Sequence, residues 1–323
     1  MKVHILDDWF DTLRGLPCFE KLDGHDVTVW TDHEPDPEKL SIRIKDADAL
    51  VLFRERTKIG ADLLTRVPNL KLISQRSVYP HIDVDACTAN DVLLCSNMHS
   101  DTPSYAAAEM TLALILASYR QIPQQAASIK AGQWQSGVGR SLRGRTLGLY
   151  GYGRIAGAVA TYAKALGLNI QWWSSEAGRA RASADGETVA ASRHDFFATS
   201  EIVSVHVRLK PETRGIITAA DLAAMQPRAL FVNTSRSGLV AQGALEAEIA
   251  KGRLHAAVDV FDTEPLRDTS HPLLTHPNVL ATPHIGYVTE DEFNLQFSDI
   301  FDQIVAYADG APINMINPSV YGR

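Results

Sequence analysis

Residues 146–156 read TLGLYGYGRIA, and this segment is the most informative part of the chain about its fold. Its first five residues read as a buried strand, which runs directly into a Gly-x-Gly-x-x-Ala turn and then into the helical pattern of residues 157–166. Gly151 permits a tight turn, Gly153 lets a pyrophosphate approach the backbone, and the small Ala156 lets helix and strand pack closely. An anion then lies at the helix N-terminus. This context predicts a nucleotide site, with a purely structural turn as the alternative.

The next predicted strand bears on the choice of nucleotide. A nucleotide fold of this kind usually places an acidic residue at that strand's end, where it binds the ribose hydroxyls. Here the strand ends WWSSE at 172–176, so Ser174 stands where an aspartate would mark NAD. Arg179 and Arg181 follow closely enough to meet a 2′-phosphate, although solvated surface charges explain them equally well. We expect NAD by a small margin, because Ser175 and not an arginine directly follows Ser174, with NADP as the alternative.

On both sides of this segment, strand-like and helix-like patterns alternate along the chain, which is typical of an α/β protein with parallel sheets. A long helical pattern, Tyr105–Tyr119, follows Pro103 and separates two series of strands. The final helical pattern, Glu290–Ala308, has no strand to return to in the second series, so we expect it to pack against the first. The predicted strands are Val3–Leu6, Val27–Trp30, Ala49–Phe53, Leu70–Ser74 and Val92–Cys95, then Leu147–Tyr150, Asn169–Trp173, Ile202–Val207, Ala229–Asn233, His255–Asp259 and Val279–Ala281.

Composition narrows the class of protein. The 323 residues are 45% hydrophobic and 21% charged, which is typical of globular domains, and the length favours two of them. Lys and Arg number 31 against 38 Asp and Glu, so the charge of −7 gives no basic surface for nucleic acid or an anionic membrane. A small-molecule substrate is therefore expected, with no nucleic-acid or membrane partner.

Cysteines and the N-terminus bear on the compartment. The three cysteines, Cys18, Cys87 and Cys95, form neither a C-x-x-C pair nor an even set, so a reducing compartment is expected. The N-terminal MKVHILDD leaves no room for a signal peptide, and the longest apolar run, Met110–Ala117, is too short to cross a bilayer. We expect a soluble, cytoplasmic protein. No metal-ligand spacing accompanies the histidines of the 271–276 loop, so no metal is expected.

Three reactive side chains each follow a predicted strand. They are Arg236 in FVNTSRSG (231–238), Glu264 in VDVFDTEP (258–265) and His284 in ATPHIG (281–286). The carboxyl ends of parallel strands meet at one edge of a sheet, so the three should converge on one crevice. Taken singly, they could equally be an ion-pair arginine, a turn acid and a buried core histidine.

Together these residue types suit the reduction of a 2-oxo acid. Hydride goes to the carbonyl carbon and a proton to its oxygen, so a group that titrates near neutrality must shuttle that proton, and histidine does. A carboxylate beside the ring orients it and stabilises the imidazolium. A guanidinium fork binds the substrate carboxylate better than a lysine point charge.

With the glycine turn and the segments SYAAAEMTLALIL (104–116) and SVHVRLKPETRGII (204–217), these motifs resemble the D-isomer-specific 2-hydroxyacid dehydrogenase family, which includes phosphoglycerate, glycerate and D-lactate dehydrogenases. The resemblance implies an NAD(P)-dependent oxidoreductase acting on CH–OH groups, with Arg236 binding the substrate carboxylate, His284 as the acid/base and Glu264 as its partner. It also implies two Rossmann-like, doubly wound parallel-sheet lobes with a cleft between them. Residues 1–99 with 291–323 would form the substrate-binding domain, and 100–290 the dinucleotide-binding domain.

The resemblance carries further residues. Asp259 is placed near the nicotinamide carboxamide, Thr234 near its ribose and His206 at the strand end facing the cofactor. The loop SQRSVYPH (74–81) supplies carboxylate-binding amides, although it departs from the family's glycine-rich form. The cofactor-binding candidates are Gly151, Gly153, Arg154, Ile155, Ser174, His206, Thr234 and Asp259, and the substrate-binding candidates are Ser77, Val78, Tyr79 and Arg236.

The family resemblance also leaves alternatives. A two-fold homodimer is implied. The leading hypothesis is an enzyme that reduces a small 2-oxo acid or oxidises the D-2-hydroxy acid. One alternative is a nucleotide-sensing, corepressor-like interaction protein on the same fold, and another is a relative that acts on formate or phosphite. The residues do not name the substrate.

Overall fold

The computed structural model describes residues 1–98 and 105–322. The chain divides into two compact units, Met1–Pro103 with Val288–Arg323, and Ser104–Tyr287. Each is built on one parallel sheet, so the predicted fold class, two parallel-sheet α/β units, is confirmed. The predicted boundary between residues 99 and 100 lies outside the described residues, as do Pro103 and Ser104 at the start of the predicted linking helix.

The strands and helices follow the alternation that the sequence predicts. The strands of the first unit are β1 (Lys2–Ile5), β2 (Asp26–Val29), β3 (Ala49–Val51), β4 (Leu72–Arg76) and β5 (Leu93–Asn97), and those of the second are β6 (Thr146–Tyr150), β7 (Asn169–Trp173), β8 (Ile202–Val205), β9 (Leu230–Asn233), β10 (His255–Val258) and β11 (Val279–Ala281). The helices are α1 (Pro37–Arg43), α2 (Ala61–Leu64), α3 (Val84–Ala89), α4 (Ala106–Arg120), α5 (Ile122–Lys130), α6 (Arg154–Ala165), α7 (Glu176–Ala184), α8 (Arg193–Thr199), α9 (Ala219–Ala224), α10 (Ala244–Ala250), α11 (Pro272–Thr275) and α12 (Glu290–Ala308).

The first unit has a five-stranded sheet in the order β2-β1-β3-β4-β5, with all neighbours parallel. The last helix, α12, belongs to this unit, and the prediction that it packs against the first half of the chain is confirmed. The hydroxyl of Thr289 caps it by accepting the N–H of Glu292. The ring of Phe297 lies 4.3 Å from that of Phe53, measured between centroids, just after β3. These apolar contacts fix α12 on the sheet.

The second unit has a six-stranded sheet in the order β11-β10-β9-β8-β6-β7. Val189 lies beyond β7 and forms an isolated parallel bridge with Trp172 of that strand. With this bridge counted as a strand, the order becomes that of the doubly wound dinucleotide fold, and the winding reverses between β6 and β8. The sequence analysis missed this edge position because a single bridging pair has no strand-length pattern.

Both faces of the second sheet are covered by helices. In β9, Leu230 and Val232 join the core formed with α4 and α6, whereas Phe231 joins the core formed with α8, α9 and α10. A strand buried on both faces is expected to be apolar throughout, as β9 is up to its last residue. In β6, a Cβ atom on Gly148 would lie 2.2 Å from the Ser200 hydroxyl, so only glycine fits there.

Three further observations concern the described residues. The cysteines Cys18, Cys87 and Cys95 are free and buried, and burial raises the pKa of the first to about 11 and of the other two to about 12. In the described part of the chain, no helix is both long and apolar enough to span a membrane. Within the same residues, His, Cys, Asp and Glu side chains form no group of three suited to a metal ion.

Candidate active site

The glycine turn follows β6 at the point where the winding of the sheet reverses. Gly151 has a φ of 117°, and a Cβ atom there would lie 2.5 Å from the carbonyl oxygen of His206, so β6 can turn beside the end of β8 only with glycine. Gly153 occupies the N-cap position of α6, where it has no side chain to accept a hydrogen bond from the first turn. A Cβ atom on Gly153 would meet nothing within 4 Å. Ala156 is fully buried, while Arg154 and Ile155 are exposed at the start of α6. The turn therefore leaves open space above an uncapped helix N-terminus, and a pyrophosphate fits such a cradle.

A side chain inside the turn anchors it. The hydroxyl of Tyr152 donates to Asp185 Oδ2 at 2.5 Å, which raises the pKa of Tyr152 to about 12. Its ring packs edge-on against Trp172, with centroids 4.7 Å apart, and Arg181 Nη2 donates to its carbonyl oxygen at 3.2 Å. Arg181, a candidate phosphate contact in the sequence, thus contacts the backbone of the turn. The sequence analysis did not single out Tyr152 or Asp185.

The end of β7 carries one arginine beside Ser174. Arg179 Nη1 donates to the carbonyl oxygen of Ser174 at 2.6 Å, and its guanidinium carbon lies 4.4 Å from the centre of the Trp173 ring. The hydroxyl of Ser175 caps α7 by accepting the N–H of Gly178. The guanidinium of Arg179 therefore lies beside Ser174, the position where folds of this kind usually carry a ribose-binding carboxylate.

The end of β8 brings His206 next to the glycine turn. Its backbone N–H donates to the carbonyl oxygen of Tyr150 at 2.8 Å, and its Nε2 lies 2.8 Å from the Ser204 hydroxyl. Burial lowers the pKa of His206 to about 4. The ring is therefore neutral at physiological pH.

The loop after β9 positions Arg236 by its own hydrogen bonds. Asn233 is buried, and its side chain donates to the carbonyl oxygen of Arg236 at 2.9 Å and accepts the N–H of Ser235 at 3.0 Å. The Ser235 hydroxyl donates to the carbonyl oxygen of Val205 at 2.7 Å, which ties the loop to β8. Thr234 lies within 2.7 Å of the hydroxyl of Thr111 on α4.

Glu264 and His284 form a direct pair. Nδ1 of His284 lies 2.5 Å from Oε2 of Glu264, and the other carboxylate oxygen accepts the N–H of Phe261 at 2.9 Å. Burial by itself would raise the pKa of Glu264, but the hydrogen bond and charge of His284, the Phe261 N–H and the charge of Arg236 together hold it below its ordinary value. Glu264 is thus ionised at neutral pH. Since Nδ1 faces the carboxylate, Nε2 is the nitrogen left for acid/base chemistry.

Asp259 anchors the loop that carries His284. Its fully buried carboxylate accepts the Thr282 hydroxyl at 2.6 Å and the N–H groups of Ile285 and Gly286 at 2.9 and 2.8 Å. Within this loop His284 has a φ of 55°, a left-handed conformation that non-glycine residues adopt rarely. This anchoring role was missed in the sequence, where Asp259 was noted only as a cofactor contact.

The substrate loop predicted at 74–81 belongs to the first unit. Ser77 has a φ of 75°, and its N–H donates to the carbonyl oxygen of Asn97 at 3.0 Å. Arg76 forms an ion pair with Asp299 on α12, with Nε 2.8 Å from Oδ2. Val78 and Tyr79 follow as half-buried residues. The structure thus brings Arg236, Glu264 and His284 together in the second unit and places Ser77, Val78 and Tyr79 in the first.

Comparison with known proteins identifies the family. Residues 112–286 match the model described as D-isomer specific 2-hydroxyacid dehydrogenase, NAD binding domain. A glyoxylate reductase from Aeropyrum pernix is 34% identical over 313 residues, which cover 92% of this chain and 91% of that protein. The chain belongs to the D-isomer specific 2-hydroxyacid dehydrogenase family. The resemblance read from its motifs is therefore confirmed.

Two further members of the family resemble the chain. The crystal structure of a phosphoglycerate oxidoreductase from Vibrio cholerae O395 has a TM-score of 0.91 and 44% identity, covering 96% of this chain and 100% of that one. A D-3-phosphoglycerate dehydrogenase from Methanocaldococcus jannaschii is 36% identical over 271 residues, which are 83% of this chain and 51% of that protein. The chain spans about half the length of the curated D-3-phosphoglycerate dehydrogenases it matches.

Proposed function

We propose that this protein is a D-2-hydroxyacid dehydrogenase, which interconverts a small 2-oxo acid and its D-2-hydroxy acid. The observation that carries the proposal is the Glu264–His284 pair at 2.5 Å, near the charge of Arg236 and within the family's NAD-binding domain. When bound, the nicotinamide cofactor supplies or accepts the hydride at the substrate carbon. The protein's own groups manage the proton and the carboxylate.

His284 is the acid/base. Its Nε2 gives a proton to the carbonyl oxygen during reduction and takes it back during oxidation. Glu264 holds Nδ1, and its lowered pKa keeps it anionic at neutral pH. A carboxylate in this position stabilises a protonated ring. Asp259 fixes the histidine loop, which places the ring before the substrate arrives.

Two parts of the chain are assigned to the substrate carboxylate, each within its own unit: Arg236 in the second, and the backbone of residues 77–79 in the first. A guanidinium offers two parallel N–H donors to a carboxylate, and backbone N–H groups offer further donors. Arg236 Nη1 already donates to the carbonyl oxygen of Ser235 at 2.7 Å, which stiffens the side chain before it meets an anion. In this assignment Ser77, Val78 and Tyr79 are substrate-binding residues.

The dinucleotide is held along the carboxyl edge of the second sheet. Gly151, Gly153, Arg154 and Ile155 receive the pyrophosphate at the uncapped start of α6. Ser174 lies at the adenosine ribose, and His206, Thr234 and Asp259 at the nicotinamide end. We propose NAD as the cofactor, and Arg179 beside Ser174 keeps NADP as the second candidate.

The two alternative functions receive less support. A corepressor-like interaction protein needs no acid/base pair, yet Glu264 and His284 are paired here. The relatives named above are a glyoxylate reductase and phosphoglycerate enzymes, which favours an organic acid over formate or phosphite. The homodimer and the cytoplasmic location stay predictions from the resemblance and the sequence.

The test is turnover of a panel of 2-oxo acids. Glyoxylate, pyruvate, hydroxypyruvate and its 3-phosphate are each mixed with the protein and NADH or NADPH, and the loss of reduced-nicotinamide absorbance is followed. We expect at least one acid to be reduced to the D-hydroxy acid and His284→Ala to abolish that turnover. No turnover of any acid, with folded protein that binds the dinucleotide, would contradict the proposal.

A further inference from the structure

The substrate loop holds one residue in an unfavourable backbone conformation. Ser77 adopts a φ of 75° without being glycine. Left-handed backbone costs a side-chain-bearing residue free energy and persists only when the surroundings enforce it. The cause of this conformation lies in the two strands from which the loop emerges.

Two buried side chains donate hydrogen bonds to the carbonyl oxygen of Ser77. Gln75 Nε2 donates to it at 2.8 Å, and Ser96 Oγ donates to it at 2.7 Å. The two residues face each other across β4 and β5, where the parallel register pairs Gln75 with Ser96. Gln75 also donates to the Ser96 hydroxyl at 2.5 Å, so the three groups form one network. Gln75 is fully buried and Ser96 is 2% exposed, so water does not compete for these bonds.

The network fixes the orientation of the next amide. Among the described residues, the cis peptide bond is the one between Glu264 and Pro265, so the peptide bond between Ser77 and Val78 is trans. In a trans peptide, the N–H of Val78 points opposite to the carbonyl of Ser77. Since that carbonyl points at Gln75 and Ser96, the N–H of Val78 points away from them. Among the described residues, the N–H groups of Val78 and Tyr79 find no acceptor. These two successive backbone N–H groups are donors that an anion can use.

We propose that Gln75 and Ser96 are positioning residues for the substrate, because they hold the Ser77 carbonyl and thereby aim the Val78 amide at the carboxylate of the 2-oxo acid. The inference rests on the proposed function, and it deepens that function by naming the side chains that shape the anion-binding loop. Neither side chain touches the substrate. Both act through the peptide group between Ser77 and Val78.

The test separates substrate binding from chemistry. Ser96→Ala removes one donor to Ser77, and Gln75→Met removes the other while keeping a similar volume. Each is expected to raise KM for the best 2-oxo acid about tenfold, in line with the weakening of a hydrogen bond to a charged group. The carboxylate does not change during the reaction, so kcat should stay within about twofold and KM for the cofactor should not change. Ser96→Thr keeps the hydroxyl and should restore KM.

Ser74→Ala is the matched control. Ser74 is a buried serine on β4, next to Gln75, but its hydroxyl donates to the carbonyl oxygen of Ile300 at 2.8 Å and not to the loop. It should lower the thermal unfolding temperature without raising KM. If Ser74→Ala raised KM as much as Ser96→Ala, general loosening of the sheet at β4 and β5 would explain both, and the proposal would be overturned.

The outcomes also separate this inference from the proposed function. If the wild-type protein turned over none of the acids, the proposed function and this inference would fall together. If the wild type were active and Ser96→Ala kept a normal KM, only this inference would fall. Calorimetric binding of oxamate, an unreactive 2-oxo acid analogue, to the cofactor complex gives a second readout. Its Kd should rise about tenfold in Ser96→Ala and stay unchanged in Ser74→Ala, even if Gln75→Met does not fold.

Discussion

At the scale of single residues, Arg236 allows the binding of the acid substrate to be separated from the binding of the cofactor. Arg236→Ala should lower kcat/KM for the 2-oxo acid by at least about a hundredfold, or about 2.7 kcal/mol, because the guanidinium binds the acid. Cofactor affinity, followed by dinucleotide fluorescence, should stay nearly unchanged. Arg143→Ala, at an exposed arginine of the same unit, is the control and should leave both quantities unchanged. Near-normal turnover in Arg236→Ala would show that Arg236 does not bind the substrate carboxylate.

The pair Glu264 and His284 predicts opposite pH profiles for the two directions. Reduction needs a ring that carries the proton, so its rate should fall as pH rises, while oxidation needs a ring that can accept it and should rise over a similar range. The pKa of Glu264 is held below its ordinary value, so Glu264 stays anionic across this range. Glu264→Gln removes that anion but keeps a hydrogen-bonding group, so both limbs should move to lower pH without loss of turnover. Steady-state rates in both directions check this, and a fully active His284→Ala with an unchanged profile would exclude histidine.

Cofactor preference is decided at Arg179. The wild type is expected to favour NAD slightly, because Ser175 and not an arginine directly follows Ser174 in the chain. The preference should be small, because Ser174 offers the ribose no carboxylate and the Arg179 guanidinium lies beside it. Arg179→Ala should reduce kcat/KM with NADPH more than with NADH, because only the former carries a 2′-phosphate. Efficiencies with both cofactors measure this. A wild-type preference for NADP(H) above about a hundredfold would overturn the choice of NAD.

At the scale of elements, the turn between β6 and α6 allows stability and cofactor binding to be separated. A Cβ atom on Gly153 meets no protein atom within 4 Å, so Gly153→Ala should leave the unfolding temperature unchanged. The added methyl group would fill the space proposed for the pyrophosphate, so the dinucleotide Kd should rise about tenfold or more. Gly157→Ala, one turn further along α6 and equally open, is the control and should keep normal affinity. Equal affinities of both variants would place the pyrophosphate elsewhere.

The same elements explain what the sequence could predict. The glycine turn was predictable because each of its positions has a separate steric requirement, and Gly151 meets that requirement against His206. Arg236, Glu264 and His284 were predictable as a group because the ends of neighbouring parallel strands share an edge. The Tyr152–Asp185 bond and the Gln75–Ser96 network were not predictable, since each joins side chains distant in the chain by contacts that no local pattern encodes.

At the scale of the whole molecule, the chain builds its first unit from both of its ends and its second unit from the middle. The sequence analysis expected Glu290–Ala308 to pack against the first series of strands because it had no strand to return to in the second, and α12 packs on the first sheet. It could not predict how the first sheet holds the helix. Those contacts include the bond from Gln303 Nε2 to the carbonyl oxygen of Gln75 at 3.0 Å, which depends on the register of α12 along β4.

The buried cysteines give this division an intrinsic chemical reporter. All three lie in the first unit, and Ser104–Tyr287 contains none. With pKa values of about 11 to 12, the thiols of Cys18, Cys87 and Cys95 are almost entirely protonated at pH 8 and shielded from reagents. The native protein should therefore resist labelling by a thiol-specific dye, and the labelling rate in increasing urea should trace the opening of the first unit alone. In a variant with Trp9 and Trp30 of the first unit replaced by phenylalanine, the remaining tryptophans, Trp134, Trp172 and Trp173, all lie in the other unit. Their fluorescence then follows that unit in the same sample, so one titration shows whether the two sheets unfold together or in sequence.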